Sequence, residues 1–148
     1  MLSLAHATTG AFVASKFTHP VIYIPLAIGL HYVQDWIPHW DVGTGLSNGT
    51  RKKSTALKLE FIDLGLTAIL IFYLWQSGQS LFQWHIWIGA FFGLLPDFLE
   101  APRNFLKWEP KFLKPLNNFH GKFHHSIPNM WMGLAPQLVV LVAIAFLR

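Results

Sequence analysis

The feature that most constrains this chain is a series of five apolar runs separated by short polar connections. They cover residues 2–17, 21–37, 60–75, 81–95 and 130–147. Hydrophobic residues make up 53% of the 148 residues and charged residues only 12%, whereas a soluble domain usually has about a quarter. Long apolar runs favour helices in contact with lipid. We therefore predict an all-α fold, an integral membrane helical bundle of about four or five apolar helices that forms one domain over residues 1–148.

The basic residues form two clusters, and each cluster follows the end of an apolar run. Residues 51–58 follow the second run and residues 103–122 follow the fourth, while the turn at 77–80 has no charge. By the positive-inside rule, both clusters are expected to face the cytoplasm. We therefore predict a protein of the prokaryotic inner (plasma) membrane with a polar site toward the cytoplasmic face. The clusters are typical of topology determinants and lipid contacts, so no nucleic acid is expected as a partner.

The stretch HYVQDWIPHWD, from His31 to Asp41, places two histidines and two aspartates at the end of the second run and just beyond it. His31 and Asp35 are four residues apart, so they share one face of a helix. Pro38 is expected to end that helix, and His39 follows it. An ionisable group in an apolar environment is costly alone, whereas a metal ion would neutralise several together. Because the chain has no cysteine, its metal ligands could only be histidines and carboxylates.

Further candidate ligands lie in the second half of the chain. Asp97 follows Pro96 at the end of the fourth run, a position typical of either a metal ligand or a turn residue. In the sequence HGKFHHS, His120 and His124 are four residues apart and would share a helical face. His120 and His125 would converge instead if this segment bends.

Two short elements carry a resemblance to a known family. GLLPD, which ends at Asp97, resembles the GxLLPD element of the small membrane-bound metal-dependent hydrolases of the LexA-regulated inner-membrane hydrolase-like family. HGKFHHS is similar to that family's HRGxTHS element, and this match implies metal-site positions for His120 and His125, with His124 where the family has threonine. His6, in LAHATTGAF, is similar to the family's early histidine. A more distant similarity is to helical zinc-dependent phospholipases C.

The chain departs from the family pattern after the first element. The family continues PDxDH, whereas residues 96–100 of this chain read PDFLE and lack the second aspartate. The complementary half, PHWD, occurs at residues 38–41. Which of the two proline-containing segments provides which ligand therefore stays open.

These residues together predict a metal-dependent hydrolase that acts on a phosphoester or lipid-linked substrate, with a membrane lipid or lipid-linked phosphoester as its partner. One or two divalent cations, with zinc the favoured ion, would activate water. The predicted metal ligands are His6, His31, Asp35, His39, Asp97, His120 and His125. The expected catalytic residues are Asp41 or Asp63 as general base and Lys122 to hold an anionic headgroup, with Lys53 or Arg103 as alternatives to Lys122.

Two other classes of function stay open. A non-catalytic metal-binding or transport membrane protein would need polar groups along the whole depth of the bundle if it transports, whereas here they collect at one end. A structural membrane subunit would bind no metal and would keep its fold without its histidines. For Asp63, near the start of the third run, an ordinary role as a helix-start carboxylate is equally compatible with the sequence.

Overall fold

A computed structural model describes residues 1–148 as six α-helices with no β-strand. The helices are α1 (Ser3–Lys16), α2 (Pro20–Trp36), α3 (Lys53–Ile71), α4 (Trp84–Ala101), α5 (Lys114–Phe123) and α6 (Met130–Leu147). A π-helical turn follows α3 at Phe72–Gln76, and another follows α4 at Pro102–Leu106. The prediction of an all-α fold is therefore confirmed, and α6 has the bounds of the fifth apolar run.

Helix α1 is the central element, and it contacts α2, α3, α4 and α6. Its tightest contact is with α4, where Gly10 of α1 faces Gly89 and Gly93. A Cβ atom at Gly10 would lie 2.1 Å from the Gly89 carbonyl oxygen, and one at Gly93 would lie 2.5 Å from the His6 carbonyl oxygen. Only glycine allows the two backbones to approach this closely. The close approach brings His6 of α1 next to the end of α4 that carries the site.

Pro38 and Pro96 each follow the end of an apolar run, a position where a proline is expected to end a helix, and they behave differently. Helix α2 ends at Trp36, two residues before Pro38, as predicted. Helix α4 continues through Pro96 to Ala101, so the prediction that the fourth run ends at this proline is wrong. Helix α4 tolerates the loss of the single backbone hydrogen bond that Pro96 cannot donate. Asp97 therefore lies on the last turns of a helix and not in a loop.

Asp63 has a structural partner that fully accounts for its position. It lies in the middle of α3, because this helix begins at Lys53 and not near Glu60. The Asp63 carboxylate accepts hydrogen bonds from the backbone N–H groups of Ser3, at 2.6 Å, and Leu4, at 3.2 Å. These are donors at the start of α1, which no residue of α1 itself caps. Asp63 therefore caps a neighbouring helix, which differs from both roles expected from the sequence.

The expectation of four or five membrane-spanning helices is not supported by the helix lengths and compositions. Only α6 is long and apolar enough to cross a membrane, with a mean hydropathy of 2.1 over its 18 residues. Helices α1 and α2 have 14 and 17 residues, whereas a span needs about 20. Helix α3 has 19 residues, but lysines, a glutamate and Asp63 interrupt its apolar surface. Most of the apolar runs that the sequence suggested as membrane spans are therefore helices with polar residues buried inside the protein.

Candidate metal centre

The C-terminal end of α2 is joined to the end of α5 by backbone hydrogen bonds. His39 and Ser126 form an isolated parallel bridge. The His39 N–H group donates to the His125 carbonyl at 3.0 Å, and the Ile127 N–H group donates to the His39 carbonyl at 2.7 Å. The His125 N–H group donates to the Asp35 carbonyl at 3.0 Å. The HYVQD and HGKFHHS sequences therefore lie side by side, so the ligands predicted in both can meet at one site.

Four side chains from three helices form the first donor group: His31, Asp35, Asp97 and His120. His31 Nε2 lies 3.3 Å from Asp35 Oδ2, 3.4 Å from His120 Nε2 and 3.6 Å from Asp97 Oδ1. His120 Nε2 lies 2.9 Å from Asp35 Oδ2 and 3.6 Å from Asp97 Oδ1. Zinc binds nitrogen and oxygen at about 2.0–2.2 Å, which sets tetrahedral ligand separations of about 3.3–3.6 Å. Four of these five separations match that geometry, and the His120–Asp35 pair is closer, at hydrogen-bond distance.

A second donor group shares Asp35 with the first and adds His39 and His124. His39 Nε2 lies 3.6 Å from Asp35 Oδ1 and 3.2 Å from His124 Nε2. Asp41 Oδ2 is close to both histidines, at 3.4 Å from His39 Nε2 and 3.3 Å from His124 Nε2. Asp41 Oδ2 is buried and has no hydrogen-bond partner. The first donor group thus lies against Asp35 Oδ2, and the second lies against Asp35 Oδ1.

Backbone carbonyl groups fix the orientation of two of the histidine rings. His31 Nδ1 lies 2.8 Å from the Gly93 carbonyl oxygen, and His39 Nδ1 lies 2.8 Å from the Ile37 carbonyl oxygen. A carbonyl oxygen only accepts, so each Nδ1 atom carries a hydrogen and donates it. In the neutral rings, Nε2 then presents a lone pair toward Asp35. Metal-binding histidines in proteins are usually held by this kind of outer hydrogen bond.

His6 lies against the donor groups without belonging to either of them. Its ring stacks on the His31 ring, with 3.8 Å between the ring centroids. His6 Nε2 lies 3.0 Å from Asp35 Oδ1, and the Met1 amino group contacts both of these side chains. His6 and Asp35 are both fully buried. The structure therefore places His6 beside the donor groups, in contact with Asp35, and its role as a metal ligand stays a prediction.

The charges of Asp41 and His124 support one another. Burial raises the pKa of the Asp41 carboxyl, but the neighbouring rings of His124 and His39 outweigh burial and hold this pKa well below its ordinary value. Burial lowers the pKa of His124, but the adjacent Asp41 carboxylate and the charge of Asp35 raise it further than burial lowers it. Asp41 therefore stays ionised at neutral pH. A carboxylate with such a low pKa is better suited to bind a cation than to accept a proton as general base.

The structure brings together most of the predicted site residues and leaves some outside. Those at the centre are His6, His31, Asp35, His39, Asp41, Asp97 and His120. The position predicted for His125 is wrong, because its side chain is exposed and its Nδ1 donates to the Phe123 carbonyl. Lys122 is also exposed and lies outside both donor groups. The residue that the prediction missed is His124, although the four-residue spacing from His120 was a signal for it.

A cavity of about 560 Å³ adjoins the centre. Asp41, Asp97 and His124 line one end of it. Asp97 has 31% of its side chain exposed, whereas the side chains of His31 and Asp35 are fully buried. The donor groups are therefore open to a bound molecule on the side of Asp97.

Searches against protein-family models, curated proteins and solved structures find no match to this chain. The resemblance based on GLLPD and HGKFHHS therefore stays a prediction.

Proposed function

We propose that this protein is a metal-dependent hydrolase that acts on a phosphoester or lipid-linked substrate. One observation carries this proposal: two groups of lone-pair atoms converge on the two oxygens of the buried Asp35 carboxylate. Because His31 and His39 donate their Nδ1 hydrogens to backbone carbonyls, the neutral rings that a bound cation requires turn their Nε2 lone pairs toward this negative charge. Such an arrangement is stabilised by a cation placed between the groups.

The donor set fits one or two divalent cations, with zinc favoured because histidine nitrogen and carboxylate oxygen are its usual ligands here. His31, Asp35, Asp97 and His120 would hold one ion, and Asp35 and His39 would hold a second ion together with His124 and Asp41. A bound cation of this kind lowers the pKa of coordinated water and polarises a phosphoryl oxygen. Asp97, the most exposed ligand, leaves its side of the centre accessible to the substrate.

Contacts with a membrane are part of the proposal. Apolar side chains are exposed on several helices, among them Val21 on α2, Tyr73 after α3, and Trp131 and Phe146 on α6, each more than 70% exposed. Extended apolar surfaces are typical of proteins that contact lipid or other proteins. We propose that α6 spans the membrane and that the apolar faces of the other helices also contact lipid. The orientation that the basic clusters predict places the centre toward the cytoplasmic face of a prokaryotic inner membrane.

The alternative of a metal-transport protein has less support from the distribution of polar residues. All the donors lie at the ends of α2, α4 and α5 or in the adjoining loops. Gln137 is the buried polar side chain of α6, and it bonds to the backbone of Trp40, Gly133 and Leu2. A polar pathway through the bundle is not part of this arrangement. A membership in the LexA-regulated hydrolase-like family would agree with the proposed reaction.

The first test is the metal content of the full-length protein, measured by elemental analysis before any metal is added. We expect one to two equivalents of a transition metal and metal-dependent hydrolysis of p-nitrophenyl phosphate or bis-p-nitrophenyl phosphate. His31→Ala should lower both the metal content and the rate strongly. His125→Ala is the matched control, because His125 is exposed and lies outside both donor groups. Full metal occupancy in His31→Ala, or a purified protein with no metal affinity, contradicts the proposal.

A further inference from the structure

The cavity beside the donor groups has three chemically different walls. Asp97 and His124 bring the donor groups to one end. Lys53 and Lys107 contribute positive charge, and Leu57 and other apolar residues line the side formed by α3. The volume of about 560 Å³ lies within the range of small-molecule sites, about 300–1,000 Å³. The cavity is therefore large enough for a ligand that contacts all three walls at once.

Two lysines, Lys53 and Lys107, line this cavity without forming an ion pair. Arg103, which also lines the cavity, forms ion pairs with Glu100 and Glu109. Lys53 donates instead to the carbonyl of Phe105, at 3.1 Å, and neither Lys53 nor Lys107 takes part in an ion pair. Lysine is a common point-charge partner for phosphate. Asp41, Glu60, Asp97 and Glu100 also line the cavity, so the lysines act on an anionic group together with the proposed cations, which offset these carboxylates.

The apolar wall of the cavity continues onto the outer surface of α3. Leu57 and Phe61 both line the cavity, and their exposed fractions are 43% and 67%. They are separated by one helical turn, about 6 Å along the axis. The cavity is thus open on its apolar side toward the surface that we propose contacts lipid.

We propose that this cavity binds an amphiphile with one anionic phosphate headgroup and an alkyl or acyl chain. The headgroup lies between the donor groups and Lys53 with Lys107, and the chain lies along Leu57 and Phe61 toward the outer face of α3. This inference rests on the proposed hydrolase function and names its class of substrate. A water-soluble phosphoester would use the headgroup part of the cavity and would gain nothing from the apolar wall.

Binding of non-hydrolysable phosphonates tests the inference without relying on turnover. The metal-loaded, detergent-solubilised full chain is titrated calorimetrically with methyl-, butyl-, hexyl- and octylphosphonate and with inorganic phosphate. A buried methylene contributes a factor of about four in Kd. We expect the Kd to fall by at least about tenfold from methyl- to octylphosphonate, even if only a few methylenes reach the apolar wall.

Matched variants separate the apolar wall from the general surface. Phe61→Ala should remove most of the gain from chain length while leaving methylphosphonate binding unchanged. Ile62→Ala is the control, because Ile62 is 60% exposed on the same helix but does not line the cavity. Lys53→Gln should weaken all the phosphonates by a similar factor, whereas Lys58→Gln should not. These side chains are exposed, so the variants are expected to fold.

The outcomes distinguish this inference from the hydrolase proposal. Equal affinity for all chain lengths, or no phosphonate binding at any length, overturns the amphiphile site, and hydrolysis of p-nitrophenyl phosphate would still support the hydrolase. Chain-length dependence with no hydrolysis of any phosphoester supports the amphiphile site and contradicts the hydrolase. Equal losses in Phe61→Ala and Ile62→Ala overturn the inference, since they would assign the chain-length effect to detergent or to the outer surface.

Discussion

Replacement of Asp35 by asparagine should abolish metal-dependent stabilisation of the fold. Asp35 is fully buried and lies within 3.6 Å of the Nε2 atoms of His6, His31, His39 and His120. Asparagine has nearly the same shape but lacks the negative charge, and Asp35 is the one residue common to both donor groups. The substitution therefore weakens every metal position at once. Removing a group that only hydrogen-bonds to a metal ligand commonly lowers metal affinity about 10- to 100-fold. We therefore expect a larger loss of affinity when the shared ligand itself is replaced.

The expected magnitude follows from the linkage between binding and folding. At a free zinc concentration of about 100 times the Kd, a single site stabilises the folded state by about 2.7 kcal/mol. For a chain of this size, about 1 kcal/mol changes Tm by about 2–4 °C. Chelation should therefore lower the Tm of the unsubstituted protein by about 5–11 °C. The Tm of Asp35→Asn should change by no more than about 1–2 °C on chelation.

The assay is thermal unfolding of each variant with excess zinc and again with excess EDTA. Each variant is its own reference, so a general effect of the substitution on stability cancels. His125→Ala should behave like the unsubstituted protein, because His125 belongs to neither donor group. An equal response to chelation in Asp35→Asn and in the unsubstituted protein would refute the assignment of Asp35 as the shared ligand. No response in any variant would mean that the Met1 amino group and protonated histidines, and not a metal, balance the Asp35 charge.

Three further predictions concern one proposed metal ligand, one helix cap and one packing contact. Asp97→Asn should remove one metal equivalent and leave the second, measured by elemental analysis, because Asp97 belongs to only one donor group; loss of all metal would contradict separate ion positions. Asp63→Ala should lower the free energy of unfolding by about 1–2 kcal/mol in denaturant titration, because α1 loses its cap, while the metal content stays unchanged. Gly10→Ala should destabilise by about 1–3 kcal/mol through overpacking against Gly89, whereas Gly65→Ala, with no atoms within 4 Å, should not.

The local part of the candidate site could be predicted from helical periodicity. The spacing of His31 and Asp35 placed them on one helical face, and Pro38 indicated where α2 ends. The position of His125 could not be inferred in the same way, because α5 ends at Phe123 and the next residues form backbone hydrogen bonds with α2. His125 uses its N–H and carbonyl groups in that pairing, and its side chain is exposed. The helical spacing from His120 was the better guide, and it indicated His124.

Long-range contacts account for the other differences between sequence and structure. Asp63 is on α3, but the donors that it caps belong to α1, 59 and 60 residues away in sequence. No local pattern around Asp63 identifies that partner. Pro96 carries the usual signal for the end of a helix, yet the packing of α4 against α1 and α2 extends the helix beyond it. In each case, tertiary context outweighed a local preference.

The backbone pairing between the ends of α2 and α5 also determines when the centre can form during synthesis. His120 and Asp35 are 85 residues apart in the chain, and the His39 bridge joins residues at a similar distance. Most of the chain must leave the ribosome before these segments can meet, and closing so long a loop has an entropic cost. α2 by itself holds only part of either donor group. The metal centre that we propose can therefore be completed only after α5 has been synthesised, and chains interrupted before that point lack His120 and His124.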